Sequence, residues 1–187
     1  MSPLAETANI IFSLGAIVVT VTTIALIVFL IVAPRSGLVK IFGKSAHVFA
    51  LLTSIGAIVS SLFYSEILGY APCVLCWVQR ILIYPQVILF LLIFKFRRAL
   101  LWNISFAMSL TGLLVAIYHY YIESGGSELF ECSAFGASCT ARYVYEFGFV
   151  TIPFMSLTLF AFLVTIWFAR RTYLKGYPQE TAGVSNI

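Results

Sequence analysis

Apolar residues in this chain run in long blocks rather than in alternation. Five blocks stand out: Ala8–Ala33, His47–Gly69, Trp77–Phe94, Ala99–Ile122 and Phe149–Ala169. A helix that crosses a bilayer needs about 20 apolar residues at a rise of about 1.5 Å each. Four blocks reach that length easily. The third reaches it only when counted from Trp77, which brings Gln79 and Arg80 to the membrane boundary. Strands of a membrane barrel alternate and these blocks do not, so helices are the expected spanning element. The first block is too long for a cleavable signal, and Met1–Asn9 carries no Lys or Arg. Pro34 directly after Ala33 also makes a poor cleavage junction. The pattern therefore predicts a retained first helix and four more behind it.

Composition agrees. Hydrophobic residues make up 61% of the 187 and charged residues 10%. A soluble domain so built would expose a large oily surface. The length suits one compact domain with lipid as its solvent. Charge then sets the orientation. Nine of the eleven Lys and Arg fall in three groups: Arg35, Lys40 and Lys44; Lys95, Arg97 and Arg98; Arg170, Arg171 and Lys175. With five spans all three groups lie on one face, the cytoplasmic one by the positive-inside rule. Glu6, Glu66, Glu123, Glu128, Glu131 and Glu146 fall on or near the other. The N-terminus is expected outside and the C-terminus inside. The polar tail Tyr177–Ile187 is expected to fray. Nothing in the chain calls for nucleic acid.

Four cysteines carry the candidate chemistry. Cys73 and Cys76 form a C-x-x-C at the start of the third block, and Cys132 and Cys139 lie in the long polar stretch before the fifth. The expected topology puts all four on the extracytoplasmic side, where disulfides persist. Two close thiol pairs there suggest dithiol–disulfide exchange, in which a second pair passes electrons onward. Pro72 suits a first helical turn, and Cys73 and Cys76 share one face of it. A helix N-terminus favours thiolate. Arg80, four residues beyond Cys76, would further favour a Cys76 thiolate and steady an anionic acceptor beside it. Its plain alternative is a side chain that reaches back to the headgroups. A four-cysteine zinc site and two structural disulfides compete with redox chemistry. The C-x6-C spacing of the outer pair and the oxidising compartment speak against zinc, and no metal is expected.

Other residues carry less. His119, at the outer end of the fourth block, could donate to a carbonyl acceptor or relay a proton, or could simply anchor the helix at the interface. Glu66, near the outer end of the second block, could handle protons or be a solvated interfacial acid, and His47 reads as structural. Gly125, Gly126, Gly136 and Ser138 suit a mobile outer loop that carries Cys132 and Cys139 between partners. The aromatic stretch Tyr143–Phe149 is expected along the interface.

The run Cys73-Val74-Leu75-Cys76-Trp77-Val78-Gln79-Arg80 resembles the signature of the DsbB family of disulfide-bond formation proteins. Cys132 and Cys139 resemble that family's second redox pair. Thr151-Ile152-Pro153 is similar to its BdbC-like branch. The resemblance covers about Ser45–Arg171. It implies an all-α integral membrane protein: a four-helix transmembrane bundle, here with one additional N-terminal helix. The expected divisions are 1–44 for the extra helix and its loop, 45–171 for the redox core and 172–187 for a cytoplasmic tail. The implied function is a protein-dithiol:quinone oxidoreductase in a prokaryotic cytoplasmic membrane. It would reoxidise a DsbA-like thioredoxin-fold oxidase and pass two electrons to a membrane quinone, ubiquinone or menaquinone. Carried onto this chain, Cys132 takes the mixed disulfide, Cys139 exchanges with Cys73, and Cys76 faces the quinone beside Arg80. His119 matches a quinone-side histidine. Two features depart from the family pattern: the extra helix, and an outer pair only seven residues apart. Vitamin K epoxide reductase-like proteins share the chemistry but place the loop pair before the C-x-x-C, the reverse of the order here.

Overall fold

The computed structural model describes residues 3–96, 98–127, 132 and 137–177. It contains α1 (Pro3–Val32), α2 (Gly37–Lys44), α3 (Ala46–Leu62), α4 (Val74–Phe96), α5 (Ala99–Glu123) and α6 (Ile152–Gly176). A π-helical turn, Phe63–Ile67, extends α3. Five segments are long and apolar enough to cross a membrane: α1, α3 with its π turn, α4, α5 and α6. Among the described residues there is no strand. One isolated bridge, Glu146 to Val150, closes a turn in which Phe147 and Gly148 take positive φ.

The five expected spans are all present, with shifted ends. Helix α4 starts at Val74, so Cys73 precedes it instead of lying in its first turn. Helix α6 starts at Ile152, after the aromatic stretch, and runs to Gly176, seven residues past the apolar block and into the expected tail. Thr151 caps it by accepting from the Phe154 N–H at 3.3 Å, and Pro153 sits where the free N–H groups need no partner. The first basic loop holds a helix the apolar pattern did not predict. Ser36 caps α2 by accepting from the Val39 N–H at 3.4 Å, and Val39 and Gly43 turn inward. Beyond Tyr177 the expected tail lies outside the described residues.

Helix α6 is the centre of the bundle, in contact with α1, α2, α3 and α5. Its Phe160, Phe162, Leu163 and Ile166 are buried, with Phe90 of α4 and Trp102 of α5 in the same core. Outward faces carry exposed Ile31, Ile81, Phe94 and Leu100, as lipid requires. Lipid tails are as apolar as these side chains, so close packing and buried polar contacts must hold the helices together. Both are present. A Cβ at Gly43 would lie 2.7 Å from the Ala169 carbonyl oxygen, so the missing side chain lets α2 press onto α6. Gln86 of α4 donates to the Ser105 carbonyl at 3.2 Å and the Ser109 hydroxyl at 2.8 Å, and accepts from Ser105 Oγ at 2.5 Å.

Candidate functional site

Four elements build the site: the π turn after α3, the start of α4, the end of α5 and the loop before α6. Cys73 occupies the cap position of α4. Its carbonyl accepts the first helical hydrogen bond, from the Trp77 N–H at 3.1 Å. Its Sγ accepts from the Cys76 N–H at 3.3 Å, as a serine oxygen would at a helix start. The Cys73 and Cys76 sulfurs stand 2.8 Å apart, unbonded. His119 Nε2 lies 3.6 Å from Cys73 Sγ. The other ring nitrogen, Nδ1, lies 3.3 Å from Gln79 Nε2. An amide nitrogen only donates, so Nδ1 accepts and the proton of the neutral ring sits on Nε2, aimed at Cys73 Sγ.

Donors therefore converge on Cys73 rather than on Cys76, where the sequence placed the thiolate. The hydrogen bond from the Cys76 thiol, then that from His119, hold the Cys73 pKa well below the ordinary thiol range against the opposing effect of burial. Hydrogen bonding to the charged form is the dominant cause. His119 accordingly faces the sulfur of Cys73. Gln79, which sequence reasoning left without a role, orients it. Its signal was legible: a buried amide in a spanning helix needs a partner.

Arg80 is held by the neighbouring helix α3. Its Nε donates to Ser61 Oγ at 2.9 Å and its Nη2 to the Ser61 carbonyl at 3.0 Å, while its guanidinium lies 5.3 Å from the Trp77 ring centre. Two of five N–H donors are thus committed to α3. Arg80 and Cys76 both line one cavity of about 510 Å³, within the range of small-molecule sites. Ser61, the partner that fixes Arg80, was not singled out from sequence.

Cys132 and Cys139 are joined as a disulfide. Both are buried, and they pack in one cluster with Cys73, Leu75 and Ile122, against which Cys76 also rests. The outer pair was expected on a mobile loop, exposed to a soluble partner. In this structure it is docked inward on the C-x-x-C instead. The loop is pinned just after Cys139, where Arg142 donates to the Glu123 carbonyl at 2.7 and 3.2 Å. Tyr143 stacks on Tyr70 at 4.7 Å, and Tyr70 on Tyr64 at 5.9 Å. Gly136, Glu128 and Glu131 lie outside the described residues. Glu66 is exposed and accepts from Ser65 Oγ at 2.9 Å, in keeping with a solvated acid.

The four-thiolate zinc alternative needs four free sulfurs, and the Cys132–Cys139 bond removes two. Cys73, Cys76 and His119 do place one donor atom each within 4.8 Å of one another. Dithiol, disulfide and histidine in one buried cluster at a membrane helix end define a membrane thiol–disulfide oxidoreductase.

Comparison with known proteins narrows the class. Residues 43–170 match the profile of the family described as Disulfide bond formation protein DsbB, so the chain belongs to that family. It is 39% identical over 113 residues to Probable disulfide formation protein C of Halalkalibacterium halodurans, covering 60% of this chain and 82% of the relative. It is 38% identical over 124 residues to the SPbeta prophage-derived disulfide bond formation protein B of Bacillus subtilis, 66% of this chain and 83% of the relative. Disulfide bond formation protein C of the same organism is 35% identical over 142 residues, 75% of this chain and 96% of the relative. These names place it in the BdbC-like branch. No solved structure matches.

Proposed function

We propose that the protein takes electrons from a thioredoxin-fold oxidase of the DsbA type and delivers them to a membrane quinone. The observation that carries this is the shared cluster: a disulfide packed on a dithiol whose inner sulfur opens, with Arg80, onto a cavity between membrane helices.

The steps balance. The partner's dithiol reduces Cys132–Cys139 through a mixed disulfide on Cys132 and leaves oxidised. Cys139 then exchanges with the Cys73–Cys76 disulfide, and the outer bond re-forms as the inner pair becomes a dithiol. The quinone accepts two electrons and two protons from that dithiol and becomes the quinol. The residues present suit such an acceptor: a fixed cation for its oxygen, a cavity with polar groups at one end, and thiols at that end. Cys76 and His119 favour the Cys73 thiolate, which makes Cys73 the better leaving group as Cys132 closes back on Cys139. Arg80, steadied by Ser61, offers its remaining donors to the cavity.

On this proposal the three basic groups face the cytoplasm, the N-terminus and all four cysteines face outside, and the membrane is a prokaryotic cytoplasmic one. Residues 45–171 form the redox core, with 1–44 and 172–187 as additions. The test is disulfide trapping. In a Cys76→Ser, Cys132→Ser variant, Cys73 and Cys139 should form a bond that survives non-reducing electrophoresis. Failure to form it, with both thiols alkylated in full, would break the relay.

A further inference from the structure

Helix α1 lies wholly outside the residues that match the family profile. It nevertheless lines the cavity that holds Cys76 and Arg80. It leans on α6, with Thr20 Oγ1 3.0 Å from Thr158 Oγ1. It meets α3 at the outer end, where the Phe12 ring lies 5.6 Å from Phe63 and 5.5 Å from Tyr64. Below that contact the cavity opens between the two helices. The lining positions on α1 are 11, 12, 15, 16 and 19, and those on α3 are 53, 56, 57, 59, 60 and 61. The α1 set is a single helical stripe.

Gly15 on α1 and Gly56 on α3 face this space, and a Cβ added at either would meet nothing within 4 Å. The cavity lining is mainly apolar, with the charge of Arg80 at one end and hydroxyl residues such as Thr53 and Thr158 farther in. Among the described residues Arg80 is the one Lys, Arg, Asp or Glu in its lining, and it bonds to Ser61. Gly56 is five residues below Ser61 and Thr53 eight, about 8 and 12 Å deeper at about 1.5 Å per residue. A ligand with its polar head at Arg80 thus has a mainly apolar continuation that runs inward between α1 and α3.

We propose that α1 is the second wall of a subsite for the isoprenoid chain of the quinone, with Gly15 and Gly56 keeping the channel open. The proposal rests on the quinone as electron acceptor. A phospholipid acyl chain is the competing occupant. It offers no reducible head to seat against Cys76 and Arg80, so the continuity of the channel with the redox site favours the quinone.

The test uses the full chain in nanodiscs, with reduced partner, a quinone bearing a long isoprenoid chain and a short-chain analogue. Gly15→Leu and Gly56→Leu fill the channel without a backbone clash. The ratio of long-chain to short-chain KM should rise about tenfold in each. An unchanged ratio overturns the subsite while leaving the acceptor standing. A wild-type protein that reduces neither quinone overturns both. The unmodified protein gives a second arm. A quinone with a photoreactive group in its chain should label α1 between Phe12 and Val19. Equal labelling there by a photoreactive phospholipid, or quinone label confined to other helices, overturns the assignment.

Discussion

Cys73 and Arg80 divide the work at the residue scale. Cys73 has donors from a helix start, a neighbouring thiol and an imidazole, and its pKa is depressed. A depressed thiol is fully ionised above its folded pKa and loses its charge only as pH falls through that value. Thiolate absorbance of the reduced Cys132→Ser, Cys139→Ser variant should therefore persist at about pH 6 to 7, well under the usual thiol value of about 8.5. His119→Ala should move that titration upward. A titration already at the ordinary value, unmoved by His119→Ala, would remove His119 from the site. In the proposed function Arg80 acts on the quinone. Loss of a fixed donor from a water-poor site costs about a hundredfold in rate. Arg80→Ala should slow quinone reduction by that order with folding intact, and Arg80→Lys should recover part, since a flexible ammonium replaces a planar fork. Near-normal turnover in Arg80→Ala would reduce Arg80 to a tether for α3.

Elements show what can be read along a chain and what cannot. Five apolar blocks foretold five spans because a bilayer sets their length whatever their neighbours are. Helix α2 escaped because eight residues carry no such signature. Its evidence is a serine cap and a glycine that matters only against α6. The C-x-x-C and Arg80 were legible by spacing. The cap position of Cys73, one residue before its helix, was not, nor was Ser61 as the anchor of Arg80. Both depend on where another segment arrives. The inward docking of Cys132–Cys139 likewise has no trace in glycine content, which suggested mobility alone. Packing at this scale is testable by stability. Gly43→Ala drives a methyl into the α6 backbone and should cost about 1 to 3 kcal/mol in micelle unfolding. Gly15→Ala, facing open space, should be neutral or stabilising by up to about 1 kcal/mol. Equal effects at both would deny the close α2–α6 contact.

Taken whole, the molecule is a redox core of four spans with a fifth laid along its cavity. The core chemistry needs both cysteine pairs on one side of the membrane. Reporter fusions after Lys44 and after Arg98 should both report cytoplasm, and an extracytoplasmic signal after Lys44 would overturn the orientation. For the proposed function the buried outer disulfide must expose a sulfur to the partner as well as meet the inner pair. The most direct test of the relay follows electrons end to end. Purified protein in nanodiscs is given reduced thioredoxin-fold partner and quinone under anaerobic conditions, and partner disulfide and quinol are counted together. One quinol should appear per partner disulfide, and Cys132→Ser, Cys139→Ser or Cys76→Ser should each abolish the coupled reaction. Partner oxidation without quinol, or normal turnover in any of the three variants, would contradict the two-pair path to quinone.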